Sequence, residues 1–335
     1  MKSFNYQLII LLAFFGAIAG GIFASLTVEM SWRYFIYGAS DGAWIGGLMA
    51  AYTLLASRGR IGRKIRAQSF GFKVIFNSSI YVLLFFVGRY LGHILQGRAA
   101  NLVWDTQFYS SLAYAVIIAL LVNFIMEMSL LVGAKAVWNF VRGTYHRPLE
   151  EDRVFMFIDL ASSTTIAEKL GNRKFMELLN LFFAALSDAA VETNAEIYKY
   201  VGDEAILTWT TKNSCQKNNA LECFFRFQAN LKNVEAEFVE KFEVLPAFRG
   251  ALHRGHVISG ELGVSRKEIA YLGDVVNTTA RLMETAREHS ELLVVSQDFL
   301  DEYEGKLPED FQFNSLAFQS LRGRNEQVAV FGVRK

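Results

Sequence analysis

Residues 7–28 contain no charged side chain and consist mostly of Leu, Ile, Phe, Ala and Gly. A helix needs roughly 20 such residues to cross the hydrocarbon core of a bilayer. A signal peptide has a shorter apolar core ending at a small-residue cleavage site, and further apolar segments do not follow it. Here three more follow, at 34–56, 72–95 and 110–133, so the pattern predicts a four-helix transmembrane domain over residues 1–133. Trp32, Tyr34, Trp104, Tyr109 and Trp138 lie near the span ends, where amphipathic rings favour the headgroup layer. Beyond about residue 148 the composition becomes that of an ordinary soluble domain. This division accounts for a chain that is 52% hydrophobic and only 20% charged.

Orientation follows from the basic residues. The loop between spans two and three carries Arg58, Arg60, Arg63, Lys64 and Arg66 and no acid. The positive-inside bias places that loop, and with it both termini, on the cytoplasmic side of a cell (inner) membrane. Lys135, Arg142 and Arg147 after span four agree, while Glu29, Arg33, Asp41, Arg98 and Asp105 give the other side mixed charge. Arg89 and His93 interrupt the outer end of span three. Polar groups within lipid are costly and invite a role. Asn123 and Glu127 share one face of span four; Glu127 there reads first as a residue at the inner interface, and the pair second as a ligand or helix–helix contact. Gly16, Gly20 and Gly21 offer a close-packing face. Residues 134–150 form an amphipathic linker, predicted to continue span four as a helix until Gly143 or Pro148.

The remaining stretch, 151–335, carries the chemistry. RVFMFIDL reads as an apolar strand ending in Asp159, and ASSTTIAEKLG reads as a helix start, with Ser162 to Thr165 as capping hydroxyls and Glu168 in the first turns. A strand-end carboxylate can hold a cation, and the free N–H groups beyond it, around Ser163 and Thr164, can meet phosphate oxygens. In EIYKYVGDEAILTW, Gly202-Asp203 reads as a hairpin turn, with Lys199, Val201 and Asp203 on one face if the strand period holds. In EIAYLGDVVNTTARLMETA a strand runs into Gly273-Asp274 and a helix follows, placing Asn277 and Arg281 one turn apart. Further expectations are a helix at about 214–240 and strands at 245–258 and 291–295. Cys215 and Cys223, eight apart, read as reduced cytosolic thiols. The net charge of +1 says nothing about nucleic acid, and with no basic domain present none is expected as a partner.

Taken together in order and spacing, the FMFID strand end, KYVGDE and GDVVNTTAR resemble the class III nucleotide cyclase family over nearly all of residues 151–335. The resemblance implies an α+β, ferredoxin-like (βαββαβ) catalytic domain that converts ATP to cyclic AMP and pyrophosphate. It implies that Asp159, Asp203 and the Leu160 carbonyl hold two Mg²⁺ ions (Mn²⁺ can substitute), that Lys199 reads the adenine, that Asn277 orients the ribose and that Arg281 stabilises the transition state. It also implies a homodimer, because in this family the metal aspartates come from one chain and the base, Asn and Arg contacts from the other.

The residue types suit that chemistry. Attack of the ribose 3′-OH on the α-phosphorus builds charge on phosphoryl oxygens, which a fixed cation stabilises. Lys199 is a donor, matching the acceptor N1 of adenine, whereas guanine presents an N1–H. At the family's second base position, usually Asp or Thr, stands Ala270, which offers no side-chain hydrogen bond. A guanylyl or mixed-specificity cyclase and a non-catalytic nucleotide-binding sensor remain as alternatives. A cyclic-dinucleotide synthase is disfavoured because its turn motif is replaced by VGDEA. Arg322 and Arg324 are further candidate phosphate contacts.

Overall fold

The computed structural model describes residues 2–27, 30–56, 68–95, 106–132, 143–265, 267–320 and 327–335. The chain forms two compact units, Met1–Ala134 and Lys135–Lys335.

The first unit contains four long helices among the described residues: α1 (Lys2–Thr27), α2 (Trp32–Ala56), α3 (Phe70–Leu95) and α4 (Thr106–Val132). Among the described residues, two segments are long and apolar enough to cross a membrane, Phe70–Gly92 and Phe108–Ile125, and Ala13–Thr27 is a shorter apolar stretch. Gly16 and Gly20 of α1 face Gly42 and Gly38 of α2 so closely that a Cβ on any of the four would overlap the opposite backbone carbonyl. This is the small-residue crossing that lets helix backbones touch. Asp41 lies within α2, not in a loop, and faces Gly92 of α3, where a Cβ would collide with its carboxylate. Asn123, only 2% exposed, donates to Ser78 Oγ of α3 at 3.1 Å and to the Ala119 carbonyl at 2.9 Å, so it joins two helices. Glu29, the basic loop from Arg58 to Arg66, Arg98, Trp104 and Asp105 lie outside the described residues, as do the side chains of His93 and Glu127.

The second unit is an α+β fold on an eight-stranded sheet. Its first part runs β1 (Leu149–Leu160), α5 (Ser163–Glu192), β2 (Glu196–Val201), β3 (Glu204–Thr210), α6 (Thr211–Cys215), α7 (Asn219–Asn233), α8 (Glu235–Phe242) and β4 (Phe248–Leu262). Then follow β5 (Glu268–Leu272), α9 (Asp274–Glu288), β6 (Leu293–Ser296), α10 (Gln297–Leu300), β7 (Gln312–Ser320) and β8 (Gln327–Arg334). The strand order is β2-β3-β1-β4-β6-β8-β7, with β5 on β4, and every pairing is antiparallel except β4 with β6.

Central position explains the unbroken apolar run of β1, since residues 153–160 are buried on both faces. Val154, Met156 and Ile158 pack with Phe182, Phe224, Phe227 and Trp209 on one side of the sheet. Phe155 and Phe157 pack with Leu282, Met283 and Ala286 of α9 on the other. Fully burying such a side chain stabilises by about 1.5–3 kcal/mol. Helix α9 forms because Val275, Thr278, Thr279, Leu282, Met283 and Ala286 recur at helical spacing on its buried face.

Several details depart from the sequence reading. The helix expected at 214–240 is three pieces, broken where Asn218 is left-handed (φ 56°) and again at Val234. Ser162 is itself left-handed (φ 58°), so its hydroxyl makes no capping bond; a side-chain cap needs an extended backbone there. Of the linker, residues 134–142, including Lys135, Trp138 and Arg142, lie outside the described residues, and 143–148 is turn, not helix. Arg322 and Arg324 also lie outside the described residues. Cys215 and Cys223 are free thiols, and burial pushes Cys223 up to about 12.

Candidate active site

The end of β1 delivers Asp159 to the sheet face covered by α9, in line with Phe155 and Phe157. Its backbone pairs with Glu204 on one side and Arg249 on the other. Gly202 at φ 63° makes the turn that puts Asp203 beside this strand end, a conformation that favours glycine. Asp159 is buried, and Arg287 from the last turn of α9 donates to its carboxylate. Burial raises Asp159 above the ordinary carboxylate range; Arg287 opposes this and Asp203 adds to it. Burial, then Asp159 and Asp203, push Glu204 up to about 7.

Three acids and one arginine therefore meet at one corner. Among the described residues no group of three or more His, Cys, Asp or Glu closes into a finished metal cage. The donor chemistry nonetheless fits a hard cation. Two aspartates flank the main chain of Leu160, and mutually repelling, part-buried carboxylates are what a divalent ion neutralises. Ser163 and Thr164 open α5 directly after this corner, and no side-chain cap engages its first-turn N–H groups from Ser162. A helix start in this condition is suited to phosphate oxygens.

The other predicted residues stand apart from that corner. Asn277 is exposed and Arg281 half-buried on the face of α9 away from its core contacts. Among the described residues no hydrogen bond or ion pair joins either of them to Asp159 or Asp203. Lys199, near the end of the edge strand β2, pairs with Glu268 of β5 at 3.5 Å, both side chains nearly half exposed. Ala270, two residues on from Glu268, is buried. The register of β2 shifts between Ile197 and Lys199, a bulge just before the lysine, and then runs regularly from Lys199 to Val201. The chain thus brings the acids together in one place and Lys199 with the Ala270 strand in another, with Asn277 and Arg281 facing outward.

Sequence reasoning missed three neighbours. Glu204 was legible only as the residue after Asp203; its place opposite Asp159 depends on register. Arg287 lies six residues after Arg281, and Glu268 two before Ala270, each significant only once the strands and helix are packed.

Comparison with known proteins gives this arrangement its context. A family model described as the adenylate and guanylate cyclase catalytic domain matches residues 148–332. Adenylate cyclase 2 of Rhizobium meliloti is 31% identical over 222 residues, spanning 66% of this chain and 61% of that protein. An adenylate cyclase of Anabaena cylindrica is 23% identical over 185 residues, spanning 53% of this chain and 36% of its own length. The chain therefore covers under two thirds of these relatives. A bacterial light-regulated adenylyl cyclase superposes with a TM-score of 0.57 at 18% identity, over 70% of this chain and 66% of that one, a likeness of fold. With the family match covering more than half its length, the chain belongs to the adenylate and guanylate cyclase catalytic domain family.

Proposed function

We propose that this chain is a membrane-bound adenylyl cyclase, converting ATP to 3′,5′-cyclic AMP and pyrophosphate as a homodimer. One observation carries the reading: Asp159 and Asp203 meet at one corner, while Asn277 and Arg281 of the same chain face outward. A second copy would bring the outward set to the acids of the first, giving two equivalent sites. The strand order β2-β3-β1-β4, with helices between β1 and β2 and between β3 and β4, supports a ferredoxin-like βαββαβ core.

The residues divide the work as follows. Asp159, Asp203 and the Leu160 carbonyl would hold two Mg²⁺ ions, for which Mn²⁺ can substitute. Such ions, when bound, neutralise the triphosphate and make the ribose 3′-OH a better nucleophile. Ser163 and Thr164 at the start of α5 receive phosphate oxygens through N–H groups. Lys199 donates to adenine N1, and the Ala270 strand supplies backbone contacts at the base edge. Asn277 orients the ribose. Arg281 meets charge that grows on the phosphoryl oxygens as the 3′-O bond forms and pyrophosphate leaves.

The four N-terminal helices are read as a multi-pass anchor in the inner (plasma) membrane, in contact with lipid, with both termini cytoplasmic; a small or lipid ligand there is a secondary reading. Two segments with the length and apolarity of spans support this, together with the basic loop at 58–66. The linker 134–150 would join this anchor to the cyclase domain 151–335.

Mixed base specificity is the second reading. Ala270 lacks a polar side chain, and the Glu268 carboxylate beside Lys199 is an acceptor that a guanine N1–H could use. Full-length protein in lipid, given Mg²⁺ or Mn²⁺ with ATP or GTP, tests both by product mass. Cyclic AMP alone supports the main reading, comparable cyclic GMP the second. No product with nucleotide still bound would support a non-catalytic sensor.

A further inference from the structure

We infer that a stack of Arg153, Tyr271 and Tyr198 holds the base-reading lysine in place, making Arg153 a positioning residue for nucleotide choice; this rests on the role proposed for Lys199. Arg153 sits on β1, far from Asp159, and is only 2% exposed. Its guanidinium donates to Glu151 at 2.9 Å, to Glu196 at 3.3 Å and to the Tyr145 hydroxyl at 3.3 Å. Its central carbon lies 4.8 Å from the centroid of the Tyr271 ring. Burial disfavours the charge, but Glu196, Tyr271 and Glu151 outweigh it and keep the guanidinium charged.

Tyr271 extends the stack. Its ring meets Phe155 at 5.4 Å and Tyr198 at 4.9 Å, both edge-on. Tyr198 is the residue at the β2 register shift, immediately before Lys199. A bulge re-aims the side chain that follows it, and its direction is only as fixed as the bulged residue. Here that residue is clamped by Tyr271, and Tyr271 by Arg153. Tyr271 also follows Ala270 and lies three residues beyond Glu268, the ion-pair partner of Lys199. The stack therefore spans β1, β2 and β5 where the two base-facing strands face each other.

A core that needed only volume would fill this place with apolar side chains and avoid a buried cation. A charged network with fixed donors instead sets geometry, which suits an edge where Ala270 supplies no polar anchor. The stack also reaches the start of the unit. Tyr145 is 4% exposed, and its carbonyl accepts from the Glu261 N–H of β4 at 3.0 Å.

The test uses full-length protein in lipid, with ATP and GTP binding measured by displacement of a fluorescent nucleotide, apart from turnover. Tyr271→Leu keeps apolar volume and removes the ring. It should weaken ATP binding about tenfold and erode the preference over GTP, with kcat changed far less. Tyr271→Phe, which keeps the ring, should restore the preference. In a Lys199→Ala background, Tyr271→Leu should add nothing, because the lysine it positions is gone. A Tyr271→Leu variant that loses kcat with its ATP-to-GTP ratio intact overturns the proposal, as do effects that multiply in the double variant. Should Tyr271→Leu not fold, Tyr198→Leu at the half-buried end of the stack is read by the same criteria. Wild-type protein that binds nucleotide but makes no cyclic product sinks the proposed reaction alone, and the binding ratios still decide the stack. Wild-type protein that binds neither nucleotide overturns both.

Discussion

Asp159 of β1 and Glu204 of β3 are directly opposed across an antiparallel strand pair, a buried and a half-buried carboxylate on one face of the sheet. Like charges in that position repel, and the cation at hand within the chain is Arg287. Burial raises both acids, and nearby carboxylates add to it: Asp203 for Asp159, Asp159 and Asp203 for Glu204.

This pair makes stability depend on pH. Glu204 moves from an ordinary 4.5 to about 7 in the folded chain, chiefly by burial. Between those values the folded state binds more protons than the unfolded state, so stability falls as pH rises and is lost through about 7. Asp159 shifts in the same direction. Because Glu204 is only half-buried, solvent screening leaves an effect on the order of 1 kcal/mol. Thermal unfolding of the cation-free protein should show a lower midpoint at pH 8 than at pH 5, and Glu204→Gln should flatten the slope. A midpoint that climbs with pH would contradict this account.

Asp159→Ala and Asp203→Ala should each abolish cyclic nucleotide production and leave circular dichroism unchanged. Wild-type protein should also gain thermal stability from millimolar Mg²⁺, by mass action on the folded state, and either variant should lose that gain. Turnover retained by both variants would remove them from the metal site.

Arg281 projects from α9 where no acid of the described chain engages it. Arg281→Ala should therefore cost little stability but lower kcat about 10²–10³-fold, with KM changed much less. Steady-state kinetics against ATP decide this; a rise in KM alone would make Arg281 a binding residue.

The Lys199–Glu268 pair is exposed, and such pairs contribute about 0–1 kcal/mol to stability. Lys199→Ala should leave the unfolding midpoint nearly unmoved and raise the KM for ATP. A lost base hydrogen bond corresponds to about 1–3 kcal/mol. Glu268→Ala should lower any turnover of GTP more than that of ATP. Equal losses with both nucleotides would free Glu268 of a part in base choice.

In the first unit, Gly42→Leu should force α1 and α2 apart, because even a Cβ at Gly42 overlaps the Gly16 carbonyl oxygen. Overpacking of this kind costs about 1–3 kcal/mol or more. Thermal denaturation in detergent, compared with a Gly47→Ala control that meets only a distant Ala13 methyl, measures it. Equal stability of the two variants would mean that the close crossing does not form.

What the sequence by itself determined was local. The strand ending at Asp159, the turn at Gly202-Asp203, the helix opening after Gly273 and the long apolar helices were legible because periodicity and turn chemistry act over a few residues. Register, burial and long-range pairing were not. Glu204 faces Asp159 only because β1 and β3 pair in one register, and Arg287 reaches the same acid only because α9 packs on that face. Arg153 stands in the sequence only as the first residue of the apolar strand RVFMFIDL. It became a buried hub once four strands and the Tyr145 turn closed around it, since the identity of a charge's partners is set by the whole fold and not by its neighbours in the chain.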